Sequence, residues 1–281
     1  MPEIPELEVI RQVLTRRLRG RTVVQVIVAP KGGPIVLRDL TGAGFAASLQ
    51  GAVLQSVSRR GKFLLFYFEG KCPLLVVNPK LTGRLQLCAP AARRVGPAHV
   101  TLAFADPAEE LRYVDSKTMG QLYLTHSLSA IPTFDAMGLD ALEVTIAEFR
   151  ERLTPFRGEI KGILTRGSFV SGIGNAYADE ILWHARLHPY RKRTSLTPVD
   201  VEQLFDSMGS VLRAAIEQVR LEMADDVHLK PREFFAVHMR SGEACPRCGT
   251  PVSAITANQR ITNFCRACQP GGLLRGMGSP G

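Results

Sequence analysis

Two parts of this 281-residue chain carry residue types that can do chemistry. Near the C-terminus, Cys245-Pro-Arg-Cys248 and Cys265-Arg-Ala-Cys268 form two C-x-x-C pairs separated by 16 residues. Zinc prefers four thiolates in a tetrahedron, and each C-x-x-C turn supplies two converging sulfurs. The spacing therefore predicts one structural Zn2+ on Cys245, Cys248, Cys265 and Cys268, with no open position for catalysis at the metal. At the other end, "MPEIPELE" places Pro2 beside Glu3. Removal of Met1 would expose a secondary amine next to a carboxylate. A terminal amine titrates near about 8, against about 10.4 for a lysine side chain, so it is the better neutral nucleophile for an iminium adduct. The competing reading is an ordinary helix start, in which proline suits the first turn and Glu3, Glu6 and Glu8 complement the helix dipole.

A third stretch, "FVSGIGNAYADEILW", puts Gly172 and Gly174 around Ile173 and makes Asn175 the expected N-cap of the following helix. A glycine turn into a helix N-terminus presents backbone N–H groups to a phosphate. A tight helix–helix corner would use the same residues.

The elements that must position these residues fall into two regimes. "PELEVIRQVLTRRLRG" spaces Leu7, Ile10, Leu14 and Leu18 as a helix ending at Gly20. A β-branched run "TVVQVIV" follows, then strand-like pieces between residues 42 and 125: "AVLQSVS", "FLLFYF", "LLVV", "GRLQL", "HVTLAF" and "LRYV". "THSLSAIPTFDAMGLDALE" loses this rhythm and reads as a linker. Beyond it "VTIAEFRERL", "EIKGILTR", "NAYADEILWHARL" and "TPVDVEQLFDSMGSVLRAAIEQVRLEM" have helical period. The expected class is α+β and multi-domain: an N-terminal antiparallel β-sandwich flanked by helices over residues 1–128, a helical domain over 129–240, a four-cysteine zinc-finger β-hairpin over 241–270, and a flexible tail over 271–281. Cys72 and Cys88 are expected in the core. The hairpin between the cysteine pairs carries Gln259 and Arg260, with Arg260 either solvated or on a phosphate.

Lys and Arg outnumber Asp and Glu by 35 to 26, a formal net charge of +9 that suits a polyanionic partner such as nucleic acid. The clusters "LTRRLRGR", "SRRGK", "ARR" and "HPYRKR" fit a phosphate-tracking surface. No apolar run approaches the roughly 20 residues needed to span a bilayer, so no membrane role is expected. Charges stand where a signal peptide needs its apolar core, which points to a cytoplasmic protein.

Taken in order, "MPEIPELE", "GIGNAYADEILW" and "CPRC…NQRITNFCRACQ" resemble the formamidopyrimidine-DNA glycosylase and endonuclease VIII family of base-excision repair enzymes, over residues 2 to 270. The resemblance implies a β-sandwich, a helix-two-turns-helix domain and a zinc finger, with damaged double-stranded DNA crossing between the halves. It implies a bifunctional glycosylase/AP lyase acting on oxidised bases through a Schiff base on Pro2, followed by β,δ-elimination, in a monomeric, nucleoid-associated protein. Glu3 would be the general acid/base at the sugar and Lys62 a supporting lysine on a strand turn. Asn175, Arg260 and Lys161 would grip phosphates. Leu81 and Met119 would wedge into the gap left by the flipped base, with Lys117 beside them. Leu81, Lys117 and Met119 replace the Met, Arg and Phe usual in the oxoguanine branch, Gln259 replaces a glycine, and residues 222–244 lack the Gly-rich covering loop. The oxidised-pyrimidine branch is therefore open, as is the oxoguanine one. A non-catalytic damaged-DNA-binding protein on the same scaffold, and a zinc-ribbon RNA-processing or translation factor, are the competing function classes.

Overall fold

The computed structural model describes residues 1–257 and 260–271, so Gln259 and the expected tail beyond Gly271 lie outside the described residues. In chain order the elements are α1 (Ile4–Leu18), β1 (Val23–Val28), α2 (Gly33–Val36), β2 (Leu37–Asp39), α3 (Phe45–Leu49), β3 (Leu54–Arg60), β4 (Phe63–Phe68), β5 (Leu74–Asn78), β6 (Arg84–Cys88), β7 (Ala98–Phe104), β8 (Glu109–Val114), β9 (Gln121–Thr125) and β10 (Leu139–Asp140). There follow α4 (Ile146–Leu153), α5 (Ile160–Leu164), β11 (Val170–Ser171), α6 (Asn175–His184), α7 (Pro198–Met223), β12 (Ser253–Ala257) and β13 (Arg260–Phe264).

The chain forms two compact units. The first, Met1–Met137 with Ala215–Pro231, holds a four-stranded sheet ordered β1-β7-β8-β6 and a five-stranded sheet ordered β2-β9-β5-β4-β3. All pairings are antiparallel except β2 with β9. Helix α1 packs on β3 and β4, burying Leu7, Ile10, Leu14 and Leu18 as its spacing requires. The second unit, Gly138–Ala214 with the residues from Arg232 onward, holds α4–α6, the first part of α7 and the cysteine hairpin. Helix α7 thus starts in one unit and ends in the other, and the cysteine module is part of the helical unit.

The segment read as a linker contains the boundary between the units at Met137/Gly138, and its first part is also core. Ile131 and Phe134 are buried against Phe63, Leu65, Val76 and Tyr123 on one face of the five-stranded sheet. Phe134 meets Phe63 edge-on at 5.5 Å and lies under the Arg60 guanidinium at 4.7 Å. Leu64, Phe66, Leu75 and Val77 bury the opposite face of the same strands. Strands covered on both faces lose alternation, which is why "FLLFYF" and "LLVV" read as unbroken apolar runs. Strand β9, built from "QLYLT", was not among the expected strands. Cys72 and Cys88 are half-buried rather than core, and partial burial raises both thiols above their usual value.

Five arginines of the basic clusters are paired with carboxylates of the protein itself. Arg16 and Arg17 pair with Asp225, Arg17 and Arg21 with Glu109, Arg59 with Glu8, and Arg191 with Asp200. Local density of arginine in the sequence therefore marks ion-pair networks as much as a phosphate track.

Candidate functional site

At the N-terminus both readings of the acidic start coexist. Glu3 is the N-cap of α1, and Glu3 and Glu6 form a reciprocal capping box in which the Glu3 N–H donates to Glu6 Oε2 at 2.8 Å. Pro2 is buried immediately before it, and Glu3 itself is 3 % exposed. Glu8 leaves the helix start to tie α1 to the sheet, accepting from Arg11, Gln12 and Arg59. Burial pushes the Glu8 carboxyl up, but the Arg11 and Gln12 hydrogen bonds with the Arg11 and Arg59 charges outweigh it and hold it below its ordinary value. Arg59 is the penultimate residue of β3, and Lys62 lies on the two-residue Gly61-Lys62 turn into β4, with Gly61 in the left-handed region at φ 56°. The Glu8–Arg59 bond at 3.1 Å thus joins the helix that begins at Pro2-Glu3 to the hairpin that carries Lys62.

In the second unit, the glycine turn leads into α6, with Gly172 at φ 104°. Gly174, not Asn175, is the N-cap, and Asn175 is the first helical residue. The half-buried Asn175 side chain donates from Nδ2 to the Ile261 carbonyl at 2.8 Å, while its Oδ1 is buried without a hydrogen bond. Ile261 follows Arg260, which stands exposed at the start of β13, so the glycine turn and the hairpin form one surface.

Lys161 corrects the expectation of a third phosphate contact. It is buried, its Nζ lies 2.7 Å from Asp179 Oδ1, and it donates to the Thr262 hydroxyl at 2.8 Å and the Ile261 carbonyl at 3.2 Å. A buried ammonium already paired and bonded has no capacity left for DNA, and its role is to hold the hairpin on α5 and α6. Two carboxylates on α6 that sequence reasoning passed over complete this weld. Asp179 Oδ2 also accepts the Asn263 N–H and faces His238 Nδ1 at 2.8 Å. Glu180 accepts the three successive N–H groups of Ala236, Val237 and His238 at 2.8–2.9 Å. The available signal was an Asp-Glu pair inside the otherwise apolar "NAYADEILW", since buried acids need partners.

The four cysteines converge as expected. Their sulfurs all lie within 4.8 Å of one another, with Cys245–Cys268 at 3.9 Å and Cys248–Cys265 at 3.4 Å. Tetrahedral zinc with Zn–S bonds of about 2.3 Å requires sulfurs about 3.8 Å apart, so the residues fit the ion. Hydrogen bonds from Thr250 pull the Cys248 thiol down to about 6, while burial and the neighbouring sulfurs push Cys268 up to about 12. Crowded thiols compete for negative charge, and a dication resolves that competition. Trp183 of α6 donates to Cys245 Sγ at 3.4 Å and lies under the Arg247 guanidinium at 4.0 Å.

Leu81 and Met119 stand out from two loops of the first unit, 49 % and 42 % exposed, and Lys117 is exposed on the second of them. These loops, β5–β6 and β8–β9, lie next to each other because a single aspartate, Asp115, bonds to both.

Comparison with known proteins follows the same segments. Residues 1–122 match the formamidopyrimidine-DNA glycosylase N-terminal domain, 137–225 the formamidopyrimidine-DNA glycosylase H2TH domain, and 242–271 the zinc finger found in FPG and IleRS. The formamidopyrimidine-DNA glycosylase of Symbiobacterium thermophilum is 36 % identical over 280 residues, covering 96 % of this chain and 90 % of that one. The same-named protein of Herpetosiphon aurantiacus is 33 % identical over 279 residues, covering 96 % of this chain and all of that one. A solved complex of Lactococcus lactis FPG (MutM) with FAPY-dG-containing DNA superposes with a TM-score of 0.83 at 29 % identity, covering 96 % of this chain and 100 % of that chain. A Lactococcus lactis Fpg complex with abasic-site DNA gives the same values.

Proposed function

The chain belongs to the formamidopyrimidine-DNA glycosylase family, and from that premise we propose that it removes oxidised bases from duplex DNA through a Schiff base on Pro2 and then cuts the strand by β,δ-elimination. It is a DNA glycosylase of base-excision repair, and lyase activity is typical of its family.

With Met1 removed, the Pro2 nitrogen is a secondary amine that attacks the sugar C1′ as the damaged base departs. Glu3 hands a proton to the leaving side and takes one back during elimination. Once C1′ is an iminium, its 2′ proton is acidic, and loss of the 3′ and then the 5′ phosphate follows. The sugar carbon is inaccessible within a stacked duplex, so the nucleotide must first be extruded. Leu81 and Met119 fill the vacated space as apolar wedges, with Lys117 near the backbone. Lys62 supports the reacting nucleotide from its hairpin turn. Asn175 and Arg260 grip phosphates. Zinc on the four cysteines stiffens the hairpin that presents Arg260. The protein acts as a monomer in the cytoplasm, at the nucleoid.

The observation that carries this reading is the reciprocal Glu3–Glu6 capping box. It fixes a buried carboxylate directly after Pro2, on a helix tied by Glu8–Arg59 to the hairpin of Lys62. Borohydride trapping on a duplex with one natural abasic site tests it. Wild-type protein, with Met1 removal verified by mass, should give a covalent adduct that Pro2→Gly abolishes. An adduct that survives Pro2→Gly unchanged would overturn the assignment.

A further inference from the structure

Asp115 has no place in the chemistry above, yet it is 1 % exposed and its carboxylate takes four hydrogen bonds. Oδ1 accepts from the Thr82 hydroxyl and from the Lys117 N–H at 3.2 Å; Oδ2 accepts from the Gly120 N–H at 2.8 Å and the Tyr113 hydroxyl at 3.0 Å. Its own carbonyl lies 2.7 Å from His99 Nε2. Thr82 immediately follows Leu81, and Lys117 and Gly120 bracket Met119. None of the four donors is a charged group, so burying this carboxylate is costly and is met only by complete hydrogen bonding.

Two further features converge on the same place. A Cβ added at Gly120 or at Gly83 would fall 1.7 Å or 2.3 Å from the Tyr113 hydroxyl, so the backbones of both loops close on a side chain that donates to Asp115. The residue before each exposed apolar tip is a non-glycine in the left-handed region: Lys80 at φ 45° before Leu81, and Thr118 at φ 49° before Met119. Strained backbone of this kind persists only where its surroundings over-determine it.

We propose that Asp115 is a positioning residue for base extrusion: its carboxylate locks the β5–β6 and β8–β9 tips together, so that Leu81 and Met119 enter the duplex as one preorganised wedge. The assignment rests on the wedge role given to Leu81 and Met119 above. Lock and wedge act before the chemical steps, which fall to Pro2 and Glu3. Loss of the lock therefore penalises removal of a stacked base more than attack on a site that has already lost its base.

The full chain is tested with Asp115→Asn and with Thr82→Val, which removes one hydroxyl and keeps the test readable if Asp115→Asn does not fold. Three measurements are made: single-turnover excision from duplexes holding 8-oxoguanine or 5,6-dihydrouracil, fluorescence of 2-aminopurine placed opposite a tetrahydrofuran site, and borohydride trapping at a natural abasic site. Misplacement of a positioning group by about 1 Å can cost about a hundredfold, so excision should fall at least about tenfold and the fluorescence rise should shrink, with trapping reduced several times less. Adding Asp115→Asn to Leu81→Ala/Met119→Ala should cost little more, because the lock has nothing left to hold. Wild-type-like excision by Thr82→Val and Asp115→Asn beside a defective Leu81→Ala/Met119→Ala would overturn the Asp115 assignment alone. Equal loss of excision and trapping would also overturn it, as a general structural defect. Normal excision by Leu81→Ala/Met119→Ala would overturn the wedge reading and the lock with it.

Discussion

Lys161 and Asp179 show how a single side chain can look like a ligand contact and be a structural tie. The pair is 8 % and 0 % exposed at the side chains and 2.7 Å apart, and the lysine also holds two groups of β13. Removing one partner of a buried ion pair leaves the other uncompensated, at a cost of about 3–5 kcal/mol. Lys161→Met should therefore destabilise the second unit by about 3 kcal/mol, measured by urea unfolding followed through Trp183 fluorescence. DNA affinity per folded molecule should fall far less than for Arg260→Ala. A Lys161→Met protein as stable as wild type but defective in binding would return Lys161 to the phosphate contacts. Sequence reading went astray here because burial is not written in a residue's type: "EIKGIL" offers a lysine on a short helix, and only the fold shows Asp179 and Thr262 waiting for it. The cysteines were legible because metal geometry is encoded in spacing itself. Pro2-Glu3 was legible as a site, but the local signal could not separate a cap from a catalyst, and the capping box shows that those functions are not exclusive.

At the scale of elements, α1 is held on the sheet by the apolar face that its spacing announced and by the Glu8–Arg59 contact, which no pattern announced. That contact gives a pH signature. Hydrogen bonds and the arginine charges hold Glu8 below its ordinary value despite burial, so its folded-state pKa lies under its unfolded one. Stability from such a group is fully present above the unfolded value of about 4.3 and is lost as pH falls through the folded value. The melting-temperature gap between wild type and Glu8→Gln should be widest above about pH 5 and should close progressively below about pH 4. A gap that does not narrow on acidification would mean that packing, not ionisation, makes the contact. The strand-rich half was readable where strands carry strong apolar runs, as in β4 and β5. Segment 129–137 was not, because a covering strap contributes isolated anchors such as Ile131 and Phe134 with no period of its own. Asp115 escaped notice for a related reason: its four donors come from residues 82, 113, 117 and 120, on strand β8 and on two loops that become neighbours only after β6 has paired with β8.

For the whole molecule, the formal charge of +9 gives the excess of cations over carboxylates but not which cations meet DNA. Arg16, Arg17, Arg21, Arg59 and Arg191 are engaged with carboxylates within the protein, so these five contribute less to phosphate neutralisation than their place in basic clusters suggests. Counterion release separates the two kinds of arginine. Each phosphate neutralised adds about 0.9 to the slope of log affinity against log salt on B-DNA. Arg260→Ala should therefore weaken binding to abasic-analogue duplex and flatten that slope by about 0.9, measured by fluorescence anisotropy between 50 and 200 mM salt, a range of the order used for such slopes. Arg17→Ala, which gives up pairs with Glu109 and Asp225, should leave the slope unchanged and instead lower the melting temperature of the first unit. If Arg17→Ala flattened the slope as Arg260→Ala does, the paired arginines would have to let go of their carboxylates on binding, and the charge of the free protein would be a poor guide to the charge that meets the DNA.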